Sequence, residues 1–323
     1  EYASWRWIFF INIPLCGLAA FMLTRRFTEQ VARGRPHIDY RGAALLTTGC
    51  TLLILGVLEG GQAWGWLSLP GLLILGLGAA LLVVFVFVER HVPEPVLPLW
   101  VFSRRLLLTT SLVSAAVGAI VLGLTSYIPT FVQDVLGTGP LVAGFALATL
   151  TLGWPLSVSQ AGKVYLRIGF RWCSLGGSVF VVAGCALLLL VNESSPVLQV
   201  AATCFVVGVG MGLVAAPTLI AAQSSVGWGE RGVVTGNNLF CRSLGSALGV
   251  AVFGAIANAT LRSGSGLTSS GARSGAALTT ATHHVFLAVL VVSLAMAVAV
   301  ACMPREVDQP EPEQDLLTDV STT

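Results

Sequence analysis

The sequence predicts an all-α integral membrane protein with a polytopic bundle of about nine transmembrane helices. Two observations carry that prediction. The first is composition: 55% of residues are hydrophobic and only 10% are charged, against roughly 25% charged in an ordinary soluble domain. The mean hydropathy of +0.86 is more apolar surface than a water-soluble core hides. The second is segmentation. A helix needs ~20 apolar residues to cross a hydrocarbon core of ~30 Å, and runs near that length recur along the whole chain.

These runs lie at 6–23, 40–58, 69–88, 106–132, 141–161, 172–191, 197–222, 232–260 and 283–302. All are rich in Leu, Val, Ala and Gly and lack the polar alternation of barrel strands. Small residues let membrane helices approach closely, and Gly176-Gly177, Gly208-x-Gly210-x-Gly212 and Gly245-x-x-x-Gly249 suit that role. The 262–281 connection is Ser/Gly/Thr-rich and reads as a flexible loop. The segment 303–323 is acidic and contains proline, which reads as a disordered tail.

Charge orients the spans, because Lys and Arg concentrate in cytoplasmic loops. The first connection carries Arg25, Arg26, Arg33, Arg35 and Arg41; the third carries Arg90, Arg104 and Arg105. The fifth carries Lys163, Arg167 and Arg171, the seventh Arg231 and the tail Arg305. The second, fourth and sixth connections have neither residue, and only the eighth, with Arg262 and Arg273, breaks the alternation. The expected protein is therefore a multi-pass plasma-membrane protein whose chain starts outside and whose C-terminus is cytoplasmic. Trp5, Trp64 and Trp66 fall at the expected outer ends, where interfacial aromatics belong.

Several chemistries are not expected. Seven cysteines are scattered through apolar runs with no Cys-x-x-Cys pair, so they read as small buried residues. His283-His284 has no acidic or thiol companion and reads as an interfacial pair, so no metal or other cofactor is expected. No Ser–His or Asp–Asp pair is placed at depth on separate spans, which argues against an enzyme. No sustained basic face suggests nucleic-acid binding.

Four motifs carry a family resemblance: Trp5-Arg6-Trp7-Ile8-Phe9-Phe10-Ile11-Asn12-Ile13-Pro14; Glu94-Pro95-Val96-Leu97-Pro98-Leu99 with Phe102 and Arg104-Arg105; Tyr127-Ile128-Pro129 with Phe131-Val132-Gln133, Val135-Leu136-Gly137 and Ala143-Gly144; and Glu230-Arg231-Gly232 through Phe240, Arg242, Gly245 and Gly249. In order and spacing they resemble the fourteen-helix drug:proton antiporters of the major facilitator superfamily. The resemblance implies that 1–24 is the last helix of an N-terminal bundle, 25–105 a central helix pair with cytoplasmic linkers, and 106–302 a C-terminal six-helix bundle, followed by the 303–323 tail. Five earlier helices, with much of the proton machinery, would then lie outside this sequence. It also implies that the third and sixth helices of the bundle, here two almost uniformly apolar runs, lie outermost while the others line the cavity.

The segment Gly162-Lys163-Val164-Tyr165-Leu166-Arg167-Ile168-Gly169-Phe170-Arg171 resembles the superfamily's cytoplasmic loop motif. Gly162 and Gly169 would permit a tight reversal, and Arg167 and Arg171 could bond the last carbonyls of neighbouring helices. Leu166 stands where the motif has an acid. The alternative is an ordinary positive-inside loop.

Polar residues inside membrane spans are costly and are functional candidates by default. Asn238, Arg242 and Ser246 recur every fourth residue and share a helix face. Arg242 lies ~16 Å past Arg231 along a helix, about mid-depth. It reads as a cavity-lining cation, with a packing or snorkelling residue as the alternative. Ser126, Thr130 and Gln133 share a face beside Tyr127, and Trp154, Pro155 and Ser157 interrupt another span. The expected substrate cavity is thus Tyr127, Gln133, Trp154, Asn238 and Arg242. Glu59 and Asp134 end their spans near the outer surface and read as solvated charges.

The expected function is proton-coupled efflux of amphipathic small molecules, with the lipid bilayer, the substrate and protons as partners. A narrow-substrate exporter of a metabolite or self-made antibiotic, and a non-transporting scaffold or sensor, are the alternatives.

Overall fold

The computed structural model describes residues 6–26, 39–60, 63–65, 67–92, 95–264 and 275–305. Trp5, Trp66, Glu94, Arg273 and most of the acidic tail lie outside them. The chain divides into two compact units, Glu1–Ile38 and Asp39–Thr323. In the first, α1 spans Trp7–Arg26, and its side chains from Phe9 onward are exposed, as a single apolar helix must be within so short a unit.

The second unit begins with α2 (Tyr40–Glu59) and α3 (Leu69–Glu89). Asp39 caps α2 by accepting from the backbone N–H groups of Arg41 and Gly42. Ser68 caps α3 through Gly71, the role for which short oxygen-bearing side chains are favoured. The two helices interlock where Leu82 and Leu75 of α3 fill the space beside Gly49 and Gly56, and Leu53 lies on Gly78. A linker with Pro95 and Pro98 leads to the single turn α4 (Trp100–Ser103).

Six helices follow: α5 (Arg105–Thr130), α6 (Pro140–Ile168), α7 (Phe170–Leu189), α8 (Val197–Ser224), α9 (Arg231–Gly264) and α10 (Gly275–Ala301). The main packed pairs are α5 with α9, α6 with α8, and α7 with α8, while α10 lies against α5, α7 and α9, and α2 against α9. Among the described residues nine helices are long and apolar enough to cross a membrane. Backbone approach at small residues sets the tightest crossings. Any side chain at Gly245 would strike the Ala115 carbonyl, and one at Gly249 would come 2.8 Å from Cα of Ala119. Gly208 meets the Leu150 carbonyl in the same way, and Gly177 and Gly210 lie against each other's carbonyls. Gly176 faces open space, so only the second glycine of that pair packs.

Several helix ends run past the sequence expectation, α1 to Arg26 and α9 to Gly264, and three differences change the reading. The first is α6, which continues to Ile168 instead of ending at 161. Apolar runs mark where hydrocarbon ends, but an amphipathic helix continues into water, with Lys163, Arg167 and Leu166 exposed. For α10 the start is Gly275 and not 283, because Ala276, Ala277 and Leu278 are good helix formers inside a stretch read as loop. After Pro129, α5 passes into a π-turn at Phe131–Val135, closed by the Leu136 N–H on the Phe131 carbonyl. The wider turn takes Gln133 off the regular spacing with Ser126 and Thr130.

Candidate functional site

Arg242 projects from α9 toward α6. Its Cζ lies 4.9 Å from the centroid of the Trp154 ring, a cation–π geometry. One turn earlier, Asn238 is buried and its Oδ1 accepts a 2.7 Å hydrogen bond from Ser114 Oγ of α5. The neighbouring Asn237 donates from Nδ2 to Ser111 Oγ at 2.7 Å, and Ser111 in turn donates to the Leu107 carbonyl at 2.7 Å. Two polar ties therefore join α5 to α9 beside the guanidinium, and each satisfies side chains that would be costly to bury unpaired.

Trp154, Asn238 and Arg242 border one cavity of about 220 Å³ between α5, α6, α8 and α9, completed by Ser114, Thr218 and aliphatic side chains such as Val117 and Leu239. Its wall combines an aromatic face, a cation, an amide and apolar surface. Such a mixture suits a molecule with both apolar and polar parts.

Tyr127 and Gln133 are not in this group. Tyr127 lies ~20 Å farther along α5 than Ser114 at 1.5 Å per residue. Its hydroxyl is near Gly254 of α9, on the side where Leu58 of α2 also approaches. Gln133 belongs to the π-turn beyond it. Ser246 is also off the cavity, tucked beside Gly118 in the α5–α9 crossing. Ser111, Ser114 and Asn237 were not singled out in the sequence. Their signal is weak, since serines three apart are common in apolar helices, and only the partner across the crossing gives them meaning.

The loop-motif residues also separate. Gly162 lies inside α6 with open space around it, so it makes no reversal. Gly169, with φ +84°, is the single non-helical residue between α6 and α7, and it makes the turn alone. Across it, Tyr165 and Phe170 stack at 4.7 Å. Arg171 donates to the Ala301 carbonyl at 2.7 Å, and Arg105 Nε donates to Cys302 O at 3.0 Å. Two arginines thus hold carbonyls at the end of α10, where the helix dipole favours cations. Arg167 is exposed.

At the other end, His283 packs edge-on against Phe131 and Phe286, and His284 Nδ1 pairs with Thr260 Oγ1 at 2.9 Å. Both lie within α10. Among the described residues no cluster of three or more metal-ligating side chains occurs.

Comparison with known proteins adds a second line of observation. The model of the family described as Major Facilitator Superfamily matches residues 1–250. The chain is 30% identical over 255 residues to Multidrug resistance protein 3 of Bacillus subtilis, covering 78% of this chain and 49% of that protein. It is 28% identical over 265 residues to the multidrug transporter protein MdtP of the same organism, covering 82% and 49%. The chain spans about half the length of the curated relatives it matches. A bacterial homologue of the human lysosomal transporter Spinster, solved in an inward-facing and occupied conformation, superposes with a TM-score of 0.52 at 17% identity, covering 84% of this chain and 67% of that one. At that identity the likeness concerns the fold.

Proposed function

The chain belongs to the major facilitator superfamily, and from that premise we propose that it works as part of a proton-coupled exporter of amphipathic small molecules. In this reading α5–α10 form one six-helix bundle, α2 and α3 the central pair, and α1 a helix of the opposing bundle. The Arg-rich ends of the helices face the cytoplasm. Transport by alternating access sets two bundles rocking about a site near mid-membrane.

One observation carries the reading: Arg242 lies over Trp154 on a wall that also holds the Asn238–Ser114 pair. An intramembrane guanidinium is expensive unless it faces protein or water. Stacking on an indole lowers that cost while leaving the N–H groups able to bond a substrate's polar group. The indole and the apolar wall receive the substrate's greasy part. No carboxylate stands at depth among the described residues of α5–α10, whose acids, Asp134, Glu193 and Glu230, fall at helix ends. The proton-carrying acid of the cycle is therefore assigned to the opposing bundle.

The test is substrate efflux from vesicles holding the full-length protein, driven by an imposed proton gradient. Substrate-dependent proton flux is expected. Efflux that ignores the gradient would end the antiport part of the reading, and a panel of cationic and neutral drugs would separate broad from narrow substrate range.

A further inference from the structure

We propose that Asp39 and Glu89 form a proton-binding site that fastens the 95–99 linker to the α2–α3 pair. This goes beyond the exporter reading and does not depend on it.

Asp39 is 8% exposed and Glu89 3% exposed. Each uses one oxygen structurally. Asp39 Oδ1 accepts from the N–H groups of Arg41 at 3.1 Å and Gly42 at 2.9 Å, which is the cap of α2. Glu89 Oε1 accepts from the Leu97 N–H, which ties the linker to the end of α3. The second oxygen of each, Asp39 Oδ2 and Glu89 Oε2, is buried and has no hydrogen-bond partner among the described residues. These two oxygens converge on one spot beside Gly42: a methyl group built there would lie 2.8 Å from Glu89 Oε2 and closer still to Asp39 Oδ2. Glycine at 42 is what leaves room for them.

Two facing buried carboxylates do not both ionise without strong repulsion, and each orphan oxygen carries its own desolvation cost. A single proton removes both problems. Placed on Glu89 Oε2 it donates to Asp39 Oδ2, and every oxygen of the pair then has a partner. The proton comes from water at the Arg-rich end of the bundle and returns there.

The charged groups on surrounding elements leave this role open. Arg41 on α2 and Arg90 on α3 are exposed. His91 Nδ1 is engaged with the Phe87 carbonyl at 2.8 Å. Arg104 lies over Trp100, and Arg231, next to Glu230 at the start of α9, lies over Trp228. Arg105 bonds the Cys302 carbonyl. Among the described residues none of these side chains bonds the pair. No third His, Cys, Asp or Glu joins the pair among the described residues, and both free oxygens are buried, so the donor set fits a proton.

The linker gives the site a consequence. Val96, Leu97 and Pro98 border a cavity of about 310 Å³ with Val233, Asn237 and Phe240 of α9. Loss of the proton sets two negative charges face to face, and their repulsion drives Glu89 outward together with the linker that its bond to the Leu97 N–H holds. The linker then loosens from the same helix whose Asn237 holds Ser111.

The test uses the full-length protein in lipid and infrared difference spectroscopy across a pH series. A protonated-carboxyl band at neutral pH is expected in the wild type and is lost in both Asp39→Asn and Glu89→Gln. Each amide keeps the shape and supplies an N–H to the orphan oxygen, so folding is retained. No such band at neutral pH in the wild type, or one that survives both substitutions, would overturn the site. A band that emerges only after chelation would assign it to a cation instead. As a second readout, a cysteine replacing the 44% exposed Val96, in a cysteine-free background, should label at least several-fold faster as pH rises once each rate is divided by that of a free reference thiol at the same pH, which removes the ordinary gain in thiolate. In Glu89→Gln the corrected rate should stay slow and independent of pH. Labelling with the same pH profile in both would refute the link to the linker. Neither readout involves transport, so failure here and failure of the exporter reading are separable.

Discussion

Trp154 of α6 and Arg242 of α9 are joined by a ring-to-guanidinium contact of 4.9 Å, and that contact closes one wall of the cavity between α5, α6, α8 and α9. It makes the aromatic and the cation a single unit rather than two separate wall residues. Cation–π pairs contribute about 0.5–2 kcal/mol depending on desolvation. Removing either partner should therefore weaken the same step, and removing both should cost less than the two losses combined.

The first prediction follows directly. In the full-length protein, Arg242→Ala should lower transport per folded molecule by at least ~10-fold, an effect of ~1.4 kcal/mol. Arg242→Lys should also be impaired, because an ammonium lacks the planar fork that stacks and bonds at once. Trp154→Leu should lower it in the same direction. Efflux assays normalised to folded protein check this. A normal rate in the surviving Arg242→Ala protein would show that the residue only packs.

The Ser114–Asn238 bond makes a different kind of prediction. Ser114→Ala leaves the buried Asn238 amide oxygen without its donor. Such a loss costs about 1–3 kcal/mol, so the thermal midpoint in detergent should fall. In an Asn238→Leu background the same Ser114→Ala change should cost much less, since no acceptor remains to be stranded. Equal losses in both backgrounds would contradict the pairing.

Glycines give two opposite expectations. Gly118 lies under the Arg242 carbonyl, and Gly118→Leu should prevent the α5–α9 crossing and abolish folded protein. Gly162 has nothing within 4 Å of the space a methyl would take and sits inside α6. Gly162→Ala should therefore be tolerated or stabilise by up to ~1 kcal/mol, from helix propensity. A reversal at Gly162 would predict damage instead. Gly169→Ala should destabilise by about 1–2 kcal/mol, because its positive φ is unfavourable for any residue with a Cβ.

Orientation is testable at the α6–α7 turn. Leu166 is 79% exposed, so a cysteine there, in a cysteine-free background, should react with membrane-impermeant reagents only after the cytoplasmic face is opened. Reaction in intact cells would reverse the proposed topology.

The sequence by itself determined the spans. Hydrocarbon thickness and the rise of a helix make spanning length a local property, and the nine apolar runs can be read without knowing their neighbours. Charge alternation is equally local, as is the need for small residues at close crossings. The sequence also singled out Arg242, Asn238 and Trp154, because polar or bulky interruptions stand out against an apolar background. What it did not determine is which of them meet. Tyr127 and Gln133 looked equivalent to Trp154 in composition, yet ~15 Å of helix lies between Tyr127 and Val117 of the cavity wall, and Gln133 falls beyond it in the π-turn. The Ser111 and Ser114 partners of Asn237 and Asn238 lie more than a hundred residues away in the chain, and Asp39 and Glu89 gain their shared pocket only when α2 and α3 fold together over Gly42. Pairing across helices is a property of the crossing, where two backbones come close enough for side chains to satisfy each other. No single helix carries that information in its own sequence.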